Sequence, residues 1–396
     1  MNLVLPLLPT ERQLLCVAFA IFKLFGFIPF PFDCYTFELK PCSTKRTLLH
    51  LPLGQLLFYV IAHCTVMLRS ADIFYTELQI LNFNDILKYG SLVMAVFVIF
   101  ICTIVQRNTH RSIWDMLRHL RGTTRKEYVQ RYTRQYLWKF YGYLLFSAIV
   151  EALELYSIHN SPPDLAYWLM TLNLSAFLRF RHLFHMFYIN LLKIQFKQLQ
   201  YGLVDVSSYM GNLRAHPKGS KLYRELYNRC VDRLLELKNV YGQLWELSDS
   251  INRTFGCPQI CNFSGNFVQL SCDLYWCYMT AKGYGVGDYQ DFMFITLLPT
   301  SCLIVLLLSS AEACLRVTSS LQSTLLEIPH ENNPTFRKIV YRFGLQIAQQ
   351  KIRLTAYGLF EINYSLLRMF ATGITTYMII FITFSKELTP AEVSDD

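Results

Sequence analysis

Seven apolar runs, each about as long as a bilayer is thick, divide this chain of 396 residues. A helix needs about 20 mostly apolar residues to cross the hydrocarbon of a membrane. Such runs cover residues 48–68, 87–105, 137–156, 165–189, 263–279, 291–315 and 366–385. Backbone N–H and C=O groups find no partner in lipid, so each run is predicted to be helical. The expected fold is an all-α membrane protein with seven transmembrane helices. Charged residues make up 16% of the chain, below the roughly 25% of an average soluble protein. The length would hold two or three soluble domains, but no Gly/Ser or Pro-rich linker and no internal repeat divides it.

The loops between the runs sort by charge. Of the 37 Lys and Arg residues, 29 fall on the side that holds the N-terminal segment and the loops after runs two, four and six. Four fall on the other side: Arg69, Lys88, Lys282 and Lys386. The remaining Lys139, Arg179, Arg181 and Arg368 lie inside runs. Loops rich in Lys and Arg stay in the cytoplasm. The N-terminus is therefore expected inside and the C-terminus outside, and the net charge of +9 reports orientation rather than nucleic-acid binding. This argues against a G-protein-coupled receptor, whose N-terminus is outside. The Asp/Glu-Arg-Tyr and Asn-Pro-x-x-Tyr motifs of that class are also missing.

Two cytoplasmic segments read as helix. In 221–247 Leu222, Leu226, Val231, Leu234, Leu235, Val240, Leu244 and Leu247 recur near helical spacing, and 190–209 continues the fourth run. Pro329, Asn332, Asn333 and Pro334 mark a break before a further helix over 336–351. Runs four to seven are thus expected to extend into the cytoplasm as helices. Near the N-terminus, the apolar stretch 13–30 is interrupted by Lys23 and lacks a basic leader, so it reads as a short helix at the interface or against the bundle.

No motif for phosphate, dinucleotide or hydrolytic chemistry occurs, so no enzyme and no cofactor are expected. The twelve cysteines are scattered, many within apolar runs, and Cys257 and Cys261 lack further ligands at metal spacing. His182 and His185, three apart beside Arg179 and Arg181, read as structural. Asn-x-Ser/Thr sequences at Asn173, Asn252, Asn262 and Asn363 fall in spans or on the cytoplasmic side, where glycans are not added.

Functional chemistry is expected at the ends of the spans that face outside. These ends carry Glu151, Glu154, Tyr156, Tyr167, Trp168, Asp273, Tyr275 and Trp276. Ionisable groups inside a span are expensive and tend to face the interior. Aromatic rings with a few carboxylates suit an apolar or cationic small molecule. Aromatic interface belts would place the same residues at the same depth, and Glu151 or Glu154 could equally pair with a nearby base.

The chain closes on Thr376-Tyr377, five apolar residues, Thr383 and Phe384. Upstream stands Tyr357-Gly358-Leu359-Phe360-Glu361-Ile362-Asn363. These segments resemble the C-terminal signature of insect gustatory receptors: Thr-Tyr, five hydrophobic residues and Gln-Phe, preceded by a Gly-Phe-Phe-x-(Leu/Ile)-Asn run. Thr383 stands where that family usually has Gln. The resemblance implies a ligand-gated, nonselective cation channel of four like or unlike subunits, in the plasma membrane of a chemosensory neuron. It implies a ligand-pocket bundle over 48–190, completed by spans over 259–315. It also implies a cytoplasmic anchor from 191–258 and 316–362, a pore helix over 363–385 and an extracellular tail over 386–396. Thr376 and Tyr377 would lie on the pore helix near the bundle, and Ile382, Thr383 and Phe384 at the gate. The sugar-receptor branch has Glu directly after Thr-Tyr; Met378 here points to a bitter or other non-sugar tastant. An odorant-receptor-like subunit, an obligate co-receptor and a secondary transporter remain as alternatives, although a transporter would ordinarily show two related halves.

Overall fold

The computed structural model describes residues 8–28, 32–33, 38–39, 59–60, 79–120, 126–159, 162–213, 217, 220–282, 293–329 and 334–388. Most of the expected first span, 48–68, lies outside the described residues. The described helices are α1 (Pro9–Leu24), α2 (Gln79–Val105), α3 (Arg107–Leu120), α4 (Lys126–Ile158), α5 (Pro162–Leu213), α6 (Lys221–Ala281), α7 (Leu297–Leu326), α8 (Pro334–Gln349) and α9 (Tyr364–Leu388). Two small antiparallel hairpins join Phe32–Asp33 (β1) to Glu38–Leu39 (β2) and Thr355–Ala356 (β3) to Phe360–Glu361 (β4).

Among the described residues, four helical stretches are long and apolar enough to cross a membrane: Phe83–Val105, Val129–Ile158, Phe294–Leu326 and Tyr364–Thr383. The helices α5 and α6 owe their more polar character to one buried seam. The Asn266 amide nitrogen and His182 Nε2 hydrogen-bond at 2.7 Å, as do the Gln259 amide nitrogen and His185 Nδ1. The Asn262 amide donates to the Leu178 carbonyl at 3.1 Å. Polar side chains in a dry interior cost several kcal/mol unless paired, and these pair across the two helices.

Both helices run far beyond the membrane. With 52 and 61 residues, α5 and α6 span about 78 and 92 Å at 1.5 Å per residue. The expected cytoplasmic helix over 221–247 and the expected span over 263–279 are therefore one element. This is the expected extension of the fifth run into the cytoplasm, and it passes through Pro258 without a break. Here α6 packs along α2 and α5, and α7 lies along α5.

The N-terminal helix tucks against the bundle. Its Phe19 sits edge-on to Phe187 at 5.0 Å and Phe22 lies against Phe184 at 4.9 Å. Glu11 accepts from Arg134 Nε of α4 at 2.8 Å.

The helix α8 does not run into α9; residues 350–363 break the rod, contrary to the expected continuous extension of the last span. Tyr357 and Gly358 both take positive φ, 50° and 76°, and the Leu359 amide donates to the Ala356 carbonyl at 3.0 Å. These two successive left-handed residues make the tight turn of a three-residue loop between the paired Ala356 and Phe360, and glycine takes this conformation without strain. Asn252 of α6 holds the incoming strand by both ends of its amide: it donates to the Arg353 carbonyl at 2.7 Å and accepts from the Thr355 amide at 3.1 Å. Asn363 then caps α9, accepting from the Ser365 amide at 2.9 Å. The run 357–363 thus builds a docked turn and a helix start.

Asn252→Ala removes both amide contacts, and Gly358→Val forces a branched side chain into the left-handed region. Each is expected to cost about 1–2 kcal/mol. The purified full chain in detergent should show a lower thermal midpoint for both variants. A midpoint equal to wild type for both would refute this account of the turn.

Candidate functional site

The ends at which α2 begins, α4 ends, α5 begins, α6 ends and α9 ends gather at one pole of the bundle. Two polar networks lie there. In the first, Asp85 and Lys88 of α2 are three apart and so share a helical face, as do Asp273 and Trp276 of α6. Lys88 pairs with Asp273 at 2.5 Å, with side chains 15% and 5% exposed. The Trp276 indole donates to Asp85 Oδ1 at 2.8 Å, and the Tyr167 hydroxyl of α5 to the Asp85 carbonyl at 3.4 Å. The Lys88 ammonium also stands 5.8 Å from the centre of the Tyr167 ring. Asn84 anchors the same turn by donating to the Cys272 carbonyl at 3.3 Å.

The second network joins α4 to α5. Arg179 forms an ion pair with Glu151 and donates to Ser147 Oγ at 3.2 Å. One turn further along, the Trp168 indole donates to Glu154 Oε2 at 2.9 Å. Each carboxylate of the two networks is therefore matched to a cation or an indole, and the set is lined by Tyr167, Trp168 and Trp276. Such a surface can hold a small molecule by ring stacking, with carboxylates to receive a donor or a positive charge.

Six of the eight residues expected here from sequence fall into the two networks: Glu151, Glu154, Tyr167, Trp168, Asp273 and Trp276. Tyr156 does not join them; it is 72% exposed and stacks on His159 at 5.7 Å. Tyr275 is fully buried and meets Phe381 of α9 edge-on at 5.0 Å, so it belongs to helix packing. Sequence reasoning missed Asn84, Asp85 and Arg179, and placed Lys88 in a loop. The signal was present as two ionisable residues one turn apart at the start of an apolar helix.

The helix α9 shows two faces. On one, Tyr377 stacks on Phe381 at 4.4 Å and lies 3.9 Å from the Cys272 sulfur of α6, and Phe267 approaches Tyr377 edge-on at 6.5 Å. Contact is close enough that a Cβ on Gly373 would fall 2.8 Å from Phe267. The other face is exposed: among the described residues Thr372, Thr376, Ile379, Ile380 and Thr383 all lie open, with Ile379 61% exposed. Spacings of four, three and four align Thr372, Thr376, Ile379 and Thr383 in one stripe. Thr376 and Thr383 bond their hydroxyls to the carbonyls four residues back, at 3.0 and 2.8 Å. Thr383 thus satisfies its hydroxyl within its own helix. Ile382 is half-buried beside the stripe, and the Phe384 side chain lies outside the described residues.

Breaking a buried ion pair strands a charge, at a cost of about 3–5 kcal/mol, whereas removing both partners together relieves most of that cost. Arg179→Met should therefore lower the thermal midpoint and surface yield strongly. The double variant Arg179→Met/Glu151→Leu should recover much of the loss. A double variant no better than the single would show that the pair does not act as a unit.

Comparison with known proteins agrees with the geometry. The family model described as 7tm chemosensory receptor matches residues 15–388. A Drosophila melanogaster relative carrying the name gustatory receptor 2a is 22% identical over 283 residues, a stretch covering 64% of this chain. The chain spans 64% of the length of that curated relative. The insect olfactory receptor OR5 from Machilis hrabei, solved in complex with eugenol, superposes with a TM-score of 0.58 at 12% identity, over 95% of this chain and 99% of that one. The same receptor without eugenol in its description gives a TM-score of 0.58 at 12% identity, over 93% and 98%. A polytopic helical bundle, a docked turn before the last helix and a family match over nearly the whole length lead to one conclusion: this chain belongs to the 7tm chemosensory receptor family.

Proposed function

We propose that this chain is a subunit of a ligand-gated, nonselective cation channel, opened by a bitter or other non-sugar tastant. The observation that carries the reading is the two-faced last helix. One face of α9 is bound to α6 through Tyr377 and Phe381, while the stripe Thr372, Thr376, Ile379 and Thr383 is left uncovered. Four copies around an axis would turn this stripe toward a common pore. The hydroxyls of Thr376 and Thr383, already bonded along their own helix, leave methyl groups and Ile379 toward the axis. A constriction of that kind gates by excluding water. Thr376 and Tyr377 would stand near the bundle, and Ile382, Thr383 and Phe384 at the extracellular gate.

Several further assignments follow from this reading. The 29 basic residues on one side set the N-terminus in the cytoplasm and the C-terminus outside. The parts of α5, α6 and α7 that outrun the membrane, with α8, form a cytoplasmic anchor between subunits. The pole carrying Glu151, Glu154, Tyr167, Trp168, Asp273 and Trp276 faces outward and receives the ligand. Eugenol, the ligand named with the olfactory receptor of similar fold, is a small aromatic phenol, and a pocket of indole and tyrosine rings suits that chemical class. Met378 directs the assignment away from sugars by the resemblance noted above. A subunit that conducts only beside a second receptor chain is the alternative reading carried over from the sequence.

The test is recording from cells that express this chain alone, with bitter compounds and sugars applied in turn. Bitter compounds should evoke a cation current, and sugars none. Sugar-evoked currents without bitter responses would reverse the ligand class. A current that appears only with a second receptor subunit would select the co-receptor reading. In Ile382→Cys and Thr383→Cys, a membrane-impermeant thiol reagent added outside should change the current in a state-dependent way. Confirmed surface expression with neither cysteine reacting would remove the pore assignment.

A further inference from the structure

About three to four helical turns from the Glu151–Arg179 pair, a cleft opens midway along α4, α5 and α7, where the three helices meet. It is lined by Gln135, Lys139, Asn190, Lys193 and Ser310, with Tyr136 at its base. The two lysines come from different helices, and both are half-buried. Lys139 Nζ donates to Ser310 Oγ at 2.9 Å, and Ser310 in turn donates to the Leu306 carbonyl at 2.8 Å. Lys193 Nζ stands 5.1 Å from the centre of the Tyr132 ring. Among the described residues, neither lysine has a carboxylate within ion-pair distance. The contrast with their neighbour is direct: Arg134, one turn before Lys139, is matched to Glu11 at 2.8 Å.

Two ammonium groups that share a cleft repel one another, and partial burial reduces the water that would screen them. A cleft of this composition is complementary to an anion. Its depth narrows the choice. In the apolar runs of the sequence, Lys139 lies near the start of 137–156, Lys193 just past 165–189 and Ser310 near the end of 291–315. The helical stretches Val129–Ile158 and Phe294–Leu326 are longer than the roughly 20 residues a bilayer needs and run on past Lys139 and Ser310. Trp138, beside Lys139, is 75% exposed on the lipid-facing side, the position of an interface anchor. Basic pockets between helices at the cytoplasmic face match the phosphate groups of anionic lipids, which are enriched in that leaflet.

We propose that this cleft is a binding site for the phosphate group of an anionic phospholipid of the inner leaflet. Lys139 and Lys193 provide the charge. The amides of Gln135 and Asn190 provide further donors, and the acyl chains lie along the apolar flank of α4 beside Trp138. Bound there, the headgroup braces α4 against the α5–α7 pair. The placement in the inner leaflet rests on the orientation proposed above, but binding itself does not.

The test uses the purified full chain in detergent, with dioctanoyl phosphatidylserine, dioctanoyl phosphatidylinositol 4,5-bisphosphate, dioctanoyl phosphatidylcholine or inorganic phosphate added at matched concentration. Either anionic lipid should raise the thermal midpoint by about 2 °C at roughly ten times its dissociation constant, and phosphatidylcholine should not. Lys139→Gln/Lys193→Gln should abolish the shift, while Lys351→Gln, on an exposed segment elsewhere, should keep it. Should the double variant not fold, native mass spectrometry of the wild-type chain provides the same reading through retention of anionic over zwitterionic lipid. An equal shift with phosphatidylcholine, equal retention of both lipids, or a shift that survives in the double variant would overturn the site. An equal shift with inorganic phosphate would overturn the lipid assignment. None of these readings requires a current. Failure of the channel proposal would appear in recordings, and failure of the orientation would appear as extracellular labelling of an N-terminal epitope in unpermeabilised cells.

Discussion

The packing of this molecule depends on polar groups that lipid cannot solvate. Along α5, Arg179, Arg181, His182 and His185 occur within seven residues, on a helix that must pass through hydrocarbon. Each meets a specific surrounding. Arg179 reaches Glu151 of α4, while His182 and His185 reach Asn266 and Gln259 of α6. Arg181 is fully buried among the rings of Phe27, Phe184 and Phe255, with the nearest ring centre at 4.7 Å. Because the partners come from different helices, the register of α4 and α6 on α5 is set by these pairs. Apolar contacts alone would tolerate sliding between helices, since lipid tails solvate an apolar face about as well as a neighbouring helix does. A one-turn slip would strand a charge in the interior.

The same logic explains what could be read from the residues alone and what could not. Apolar run length marks the positions of α2, α4, α7 and α9, because crossing hydrocarbon imposes a length that composition reveals. It does not show what the polar residues in and just before the fifth run do: Gln259, Asn262 and Asn266 are the buried hydrogen-bonding face of a continuous helix. Pairing is similarly hidden. Glu151 and Arg179 are 28 residues apart and Lys88 and Asp273 are 185 apart, and no local pattern joins them. Tyr156 shows the reverse failure: it has the right residue type at the right depth, on a helical face that points away. The signature run 357–363 was legible as a resemblance, and its physical content, a left-handed turn and a helix cap, appears only in the backbone.

The two polar networks and the lysine cleft place ionisable chemistry at two levels of the same helices. The α4–α5 pair carries Glu151 and Arg179 at one level and Lys139 and Lys193 about three to four turns away. Beside the cleft, Tyr136 of α4 meets Phe187 of α5 edge-to-face at 5.3 Å. A shift of α4 along α5 would therefore be felt at both levels at once, through charge and through ring packing.

The interrupted backbone between α8 and α9 has a mechanical consequence. An uninterrupted helix transmits torque, so twisting one end twists the other. Here the rod stops at Gln349 and restarts at Tyr364, with a hairpin clipped to Asn252 between them. The last helix can then rotate or tilt about its capped foot at Asn363 without turning the helix before it. Such a coupling behaves as a swivel: it holds position and releases angle. Movement is confined to a few backbone torsions, and the long rods α5 and α6 serve as a fixed frame against which the last helix turns.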